Sequence, residues 1–245
     1  MNSNNNFEEL KNRLDFLGLD KAVEYIEQHR DDIPSDVIEL IHMMLAEDYV
    51  TKYNRLYGLL INTSGLRCKR GILSDIKTGD GRKYNDNALE QVKELSFLES
   101  RKNVCVFGES GAGKSYLIAS VSEELCRRGI RNRFVDYIKL MDMMTQLRHA
   151  DKVKYNKKLE SLAKIPVLLI DDFLSDDAFP DDVTVMFCLV KLRETYQNPT
   201  IVATQYDPQE WVELMTGTKK TRKGEADSIR RRLVDNAYLI TIAKN

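Results

Sequence analysis

The run Gly108-Glu109-Ser110-Gly111-Ala112-Gly113-Lys114-Ser115 constrains this chain more than any other stretch of it. It matches G-x-x-x-x-G-K-[ST], it follows an apolar segment at residues 103–107, and it opens a helical pattern that reaches about residue 128. Average composition yields such a match by accident about once in a hundred chains of this length, before the strand–loop–helix context is counted. Glycines let successive backbone N–H groups curl around phosphate oxygens, and the helix N-terminus adds the positive end of its dipole. Lys114 is then placed to reach the β- and γ-phosphates, and Ser115 to ligate Mg²⁺. The expected nucleotide-binding set is Gly108, Glu109, Ser110, Gly111, Ala112, Gly113, Lys114, Ser115 and Tyr116, with ATP and Mg²⁺ as cofactors.

Around this loop the chain alternates strands with helices. Strands are expected near residues 131–135, 167–170, 200–203 and 238–242 besides 103–107, with helical stretches between them and Gly129 closing the helix after the loop. That alternation predicts an α/β fold with a five-stranded parallel sheet covered on both faces. Residues 7–28 carry apolar side chains at helical spacing interrupted by Gly18, which predicts two short helices. Pro34 and Ser35 supply a stop and an N-cap for a longer helix carrying Ile38, Ile41, Leu45, Tyr49, Tyr53, Leu56 and Leu60. A helical N-terminal module over residues 1–64, a linker over 65–84 rich in Gly, Lys and Arg, and a core over 85–245 led in by a helix at 85–99 complete the expected organisation.

The chain has 245 residues, of which 42% are hydrophobic, enough for a core of about 150 residues and a small satellite. No apolar run approaches the roughly 18 residues a membrane span requires, and residues 1–6 are polar and Asn-rich, so a cytoplasmic protein with no membrane partner is expected. Cys68, Cys105, Cys126 and Cys188 form no C-x-x-C pair, which argues against a zinc site or a disulfide framework.

A second chemical site follows at Val167-Leu168-Leu169-Ile170-Asp171-Asp172, where an apolar strand delivers two carboxylates to the edge at which α/β proteins bind ligands. Asp171 is the candidate second metal ligand beside Ser115, and Asp172 the candidate that orients the attacking water. Gln205, after the strand ending at Thr204, either faces the γ-phosphate as a sensor or opens the turn at Asp207-Pro208. Among Arg230, Arg231 and Arg232, Arg232 is the candidate arginine finger toward a neighbouring subunit, a basic helix on DNA or in solvent being the alternative. The net charge of −1 conceals basic stripes. One runs through residues 136–166, where Arg148, Lys152, Lys154, Lys157 and Lys158 are candidates for the phosphates of nucleic acid and Tyr137 and Tyr155 interleave with them; a plain solvated face is the other reading.

These motifs together resemble the IstB family, ATPase helpers of insertion-sequence transposases, and more distantly the DnaC and DnaI helicase loaders. Besides the loop, the resemblance runs through the helix at 40–60, Arg101-Lys102-Asn103-Val104, Arg133-Phe134-Val135, residues 168–173, Thr204-Gln205 and residues 232–238, nearly the whole chain. It implies an AAA+ core that hydrolyses ATP, homo-oligomers with ATP sites at subunit interfaces, largely sequence-independent assembly on duplex DNA, and recruitment of a cognate transposase. By position it carries nucleotide and magnesium binding to Lys114 and Ser115, the acidic pair to Asp171 and Asp172, the trans-acting arginine to Arg232, and a DNA-facing helical segment to residues 136–166. Three departures are visible: Asp172 stands where many AAA+ proteins have Glu, Leu174 stands where a Gly often follows the Asp-Asp-Phe run, and the thirteen residues after Arg232 leave room for a strand but no C-terminal helical lid. A helicase loader would share the core and differ in the use of residues 7–64. A metabolite kinase would share only the loop, and the sequence offers neither its acceptor site nor an account of the basic stripes.

Overall fold

The structure, a computed structural model, describes residues 3–29, 37–66, 72–79, 81–175, 180–217 and 222–244. Pro34, Ser35 and Cys68, named above, lie outside the described residues, as does the Lys- and Arg-rich stretch 67–71 of the linker. The chain divides into two compact units, Met1–Leu59 and Leu60–Asn245.

In the first unit α1 (Ser3–Phe16) and α2 (Asp20–Gln28) are separated at Gly18, where the Gly18 N–H donates to Asp15 O at 2.9 Å and the Leu19 N–H to Leu14 O at 2.9 Å, the paired closure of a Schellman turn. With α3 (Val37–Ser64), which continues into the second unit, they gather Leu14, Ala22, Val23, Ile26 and Met44 into a small core. α2 has no side-chain cap of its own; the buried carboxylate of Asp48 on α3 accepts the Ala22 N–H at 2.8 Å instead.

The second unit is a sheet of six strands in the order β1-β6-β2-β5-β4-β3. β2 (Asn103–Gly108), β3 (Asn132–Asp136), β4 (Val167–Asp171), β5 (Thr200–Thr204) and β6 (Ala237–Lys244) are mutually parallel, as their alternation with helices requires. The expectation of five strands omitted β1 (Arg82–Tyr84), which pairs antiparallel with β6 at Arg82↔Lys244 and Tyr84↔Ile242. Three residues, two of them basic, give no readable period, so the segment presents as linker; its pairing comes from β6. The helix expected over 85–99 is likewise two, α4 (Asp86–Lys93) and α5 (Ser96–Ser100), broken where Leu95 adopts φ 60°.

Strand periodicity splits the apolar runs between the two faces. Val104, Val106, Val167, Leu169, Ile201 and Ala203 pack toward α4, α5 and α6 (Lys114–Arg127). Cys105, Leu168, Ile170 and Val202 pack on the other face, against α7 (Tyr137–Ala150), α8 (Lys152–Lys164), α9 (Pro180–Thr195), α10 (Trp211–Thr216) and α11 (Lys223–Val234). Cys105 on this face and Cys126 on α6 are free and buried, and Cys188 is free and partly exposed.

The N-terminal edge of the sheet is fastened by one cation. Arg193 of α9 is 1% exposed, and its guanidinium donates to the carbonyls of Leu162 and Ala163 in the last turn of α8 and of Ile165 just after it, to Pro199 O, and to Thr200 Oγ1 at the start of β5. Burial pulls its pKa down to about 9, which still leaves it charged at neutral pH. Arg193→Leu is expected to leave these acceptors unsatisfied and cost roughly 3 kcal/mol or more, read as a lowered urea midpoint, with Arg193→Lys recovering only part because it lacks the planar fork.

Candidate nucleotide-binding site

The loop that binds phosphate begins where β2 ends. Gly108 lies so close to β6 that a Cβ built on it would sit 2.2 Å from Ile242 O, and its φ of 154° is one that side chains rarely adopt. Gly113, at φ 105°, turns the chain into α6, whose first residues are Lys114 and Ser115. Lys114 is buried, and its Nζ donates to Gly108 O at 2.8 Å and Glu109 O at 2.9 Å, so the ammonium is folded along the loop's own carbonyls. Ala112 is fully buried under the loop, and the Ala112 N–H donates to Glu109 O at 3.1 Å. Glu109, Ser110, Gly111 and Tyr116 are exposed along its rim.

The acidic pair meets this loop from β4. Ser115 Oγ donates to Asp171 Oδ1 at 3.0 Å, and the Asp172 N–H donates to the same oxygen at 3.1 Å. Burial pushes the Asp171 carboxyl above its ordinary pKa, the charge of Asp172 adds to the shift, and the hydrogen bonds from Ser115 and Asp172 oppose it. Asp136, in register with Asp171 at the end of β3, raises it further. A divalent cation would relieve this crowding, and a hydroxyl beside a carboxylate is a donor set suited to Mg²⁺. Among the described residues no group of three or more His, Cys, Asp or Glu side chains could hold a metal ion; Ser115 and Asp171 would supply two of a cation's oxygens, with phosphate and water supplying the rest.

Asp172 sits at φ 51° and Leu174 at φ 62°, both left-handed. The Gly often found at the second position would adopt this conformation without strain; Leu174 adopts it while burying its side chain to 3% exposure. The turn is tied to the sheet by the Phe173 N–H donating to Ala203 O at 2.8 Å. Asp172 and Gln205 both line a cleft of about 300 Å³ with Ser110, Gly111, Gly113, Lys114, Ser115, Tyr116, Phe173 and Ser175. Gln205 is exposed at a bend directly after β5, on the lining of this cleft and just ahead of the turn that begins at Asp207.

Arg232 is not in this cleft. The Asn103 side-chain amide donates to Arg232 O at 2.7 Å, which puts the end of α11 at the start of β2, the length of that strand away from the loop. A six-residue strand spans on the order of 17 Å. The Arg232 guanidinium donates from Nε to Glu194 at 2.7 Å and from Nη1 to Ser228, and lies over the Phe187 ring.

The candidate nucleic-acid residues lie on α7 and α8. Lys152, Lys154 and Lys157 are exposed and Lys158 is partly exposed, with Asp151 capping α8 through the Val153 and Lys154 N–H groups. Arg148 instead donates to Asp181 at 2.9 Å, alongside His149. Tyr137 and Tyr155 are buried in the core, Tyr137 edge-on to Phe173, and so stand apart from the exposed lysines of α8. Sequence reasoning missed Asp136, whose visible role is to cap α7 through the Lys139 N–H at 3.0 Å, and Glu194, whose nearness to Arg232 spans 38 positions and leaves no local signal.

A phosphate loop on β2, an acidic pair on β4 and a strand, β5, inserted between them define a P-loop ATP-binding protein with an AAA+ core. Residues 9–245 match the family described as IstB-like ATP binding protein, and the chain belongs to that family. It is 28% identical over 178 residues to an insertion-sequence ATP-binding protein of Geobacillus stearothermophilus, covering 72% of this chain and 69% of that one. It is 24% identical to another of Sinorhizobium fredii over 95% of this chain and 91% of that one. Among solved structures it is similar to DnaI, with a TM-score of 0.60 and 25% identity over 73% of this chain and 92% of that one. No helix among the described residues is long and apolar enough to cross a membrane.

Asp171→Asn keeps an acceptor for Ser115 and removes the charge that burial disfavours. The variant, without nucleotide or metal, is expected to melt at a temperature higher by on the order of 2 °C at pH 7. Because the carboxyl's pKa is raised on folding, wild type regains stability as pH falls through that value, so the difference should shrink in acid; thermal melts across pH check this.

Proposed function

We propose that this protein is an ATPase that assembles on duplex DNA and promotes transposition of its insertion sequence by recruiting the transposase. The observation that carries the reading is the division of the candidate residues between the two edges of one sheet. Lys114, Ser115, Asp171, Asp172 and Gln205 converge at the C-terminal edge, while Arg232 stands at the other, with its guanidinium toward a polar cleft that also contains Arg101 and Asn236. Such a site is completed by a neighbour, and an assembly built that way couples hydrolysis to oligomerisation.

In this reading Lys114 turns from the loop carbonyls to the β- and γ-phosphates, and the loop N–H groups hold the phosphate chain. Ser115 and Asp171 hold Mg²⁺, which when bound neutralises charge developing on the transferred phosphoryl group. Asp172 orients the attacking water, and its shorter side chain compared with Glu supports slow turnover. Gln205 reports on the γ-phosphate. Lys152, Lys154, Lys157 and Lys158 meet backbone phosphates without reading sequence, and Arg148 joins them only by leaving Asp181. The family membership and the insertion-sequence relatives support a transposase as the partner, since many weak contacts on a multi-subunit surface raise avidity. A cytoplasmic location follows from such a task.

Arg232→Ala is expected to leave ATP binding by isolated subunits nearly unchanged and to lower hydrolysis in the assembly by roughly 10³-fold. Mixed with Lys114→Ala subunits, it should regain part of that activity, because one variant supplies the arginine and the other the intact loop; absence of rescue in a titration of the two would assign a role within one subunit.

The function itself is tested by adding the protein, ATP and magnesium to its transposase and paired transposon ends. Strand transfer into target DNA should rise, and Lys114→Ala should give no rise. A transposase indifferent to the protein, together with loading of a replicative helicase through residues 1–64, would replace this reading by that of a helicase loader.

A further inference from the structure

The flank of the phosphate loop opposite the acidic pair carries a cation that no motif names. β1 is held against β6 by the pairing Arg82↔Lys244, and the turn before it is closed by the Gly79 N–H donating to Arg82 O at 2.9 Å and the Arg82 N–H donating to Gly79 O at 3.0 Å. Strand alternation puts Arg82 and Tyr84 on one face and Lys83 on the other. Tyr84 is buried in the core beneath α6, so Arg82 faces the same side, where the loop turns into that helix. A Cβ built on Gly113 would lie 3.1 Å from Arg82 Nε and 3.3 Å from its Cζ, so the guanidinium rests on the loop itself. Among the described residues it has no hydrogen-bond or ion-pair partner. A guanidinium beside an anion-binding loop, with five donors and no acceptor among the described residues, suits an anionic ligand.

The sheet order says which part of the ligand it meets. β5 and β4, on one side of β2, bring Gln205, Asp171 and Asp172; β6 and β1, on the other, bring Arg82. Ser115 and Asp171 mark the metal and terminal-phosphate end. The opposite flank is therefore the end of the α-phosphate and the nucleoside, and Tyr116, 39% exposed in the first turn of α6, lies on that rim. We propose that Arg82 is a nucleotide-binding residue that clamps the α-phosphate side of ATP and ADP alike. The inference rests on the nucleotide reading of the P-loop cleft.

Calorimetric titration of ATP and ADP, each with magnesium, into wild type, Arg82→Ala, Arg82→Gln and Lys114→Ala tests it. Removing a charge-assisted contact is expected to weaken both nucleotides about 10- to 100-fold, by the same factor for each, in both Arg82 variants. Arg82→Gln keeps a long side chain on the edge strand, and an unshifted melting temperature without nucleotide separates the loss from unfolding. Wild-type affinity in the Arg82 variants beside a weakened Lys114→Ala would overturn the role of Arg82 and leave the nucleotide site standing. A loss confined to ATP would place Arg82 at the γ-phosphate and overturn the assignment. A wild type that binds neither nucleotide would remove the site itself.

Discussion

The hydrogen bond from Ser115 to Asp171 joins residues 56 positions apart, and it forms only if three strands lie side by side in one order. β2 must end in the loop, β4 must end in the acids, and β5 must separate them while matching Cys105 to Val202 and Leu169 to Ile201. A slip of one residue in either pairing would exchange the two faces of a strand and carry Asp171 away from Ser115. The split of each apolar run between two helical layers opposes such a slip, because Leu168 and Leu169 are both fully buried, each in a different core.

Parallel strands also give the sheet a polarity. Each of the five parallel strands, β2 to β6, delivers its last residue to the edge that holds the loop, and the helical connections between them return the chain to the opposite edge. α11 therefore ends at the start of β2, and Arg232 arrives there with it, beside the buried Arg193 and the exposed Glu194. The Arg232–Glu194 pair is solvent-facing and contributes little to stability, about 0–1 kcal/mol, so a bidentate phosphate partner can displace it. Arg193 next to it is buried and bound to backbone carbonyls, and it is not available for such exchange. The two neighbouring arginines thus differ in burial and in partners, one fixed to backbone carbonyls and one held by an exposed carboxylate.

At the loop edge the structure holds features that cost stability. Asp171 is pushed toward its protonated form by burial and by two neighbouring carboxylates, and Asp172 and Leu174 occupy left-handed backbone conformations. Each such residue costs about 1–2 kcal/mol, and the burial of Leu174 offsets its share. A ligand that binds such a cleft in the folded state alone would offset these costs.

Much of this was legible in the residues. The loop, the acids and the five parallel strands each announce themselves through local pattern: a glycine spacing, an apolar run ending in Asp-Asp, an alternation of periods. What has no local pattern was invisible. β1 is three residues long and exists because β6 offers it a partner; Leu95 breaks a helix whose apolar spacing continues across it; Tyr137 and Tyr155 sit in a basic stripe but face the core. The sequence by itself determined the chemistry available, because phosphate binding and metal ligation need particular side chains at short, fixed spacings. Only the tertiary structure decided what those side chains meet, placing Arg232 at the far edge from the loop and Arg82 against it, since neighbours across a sheet are chosen by strand order and the chain carries no short-range signal of that order.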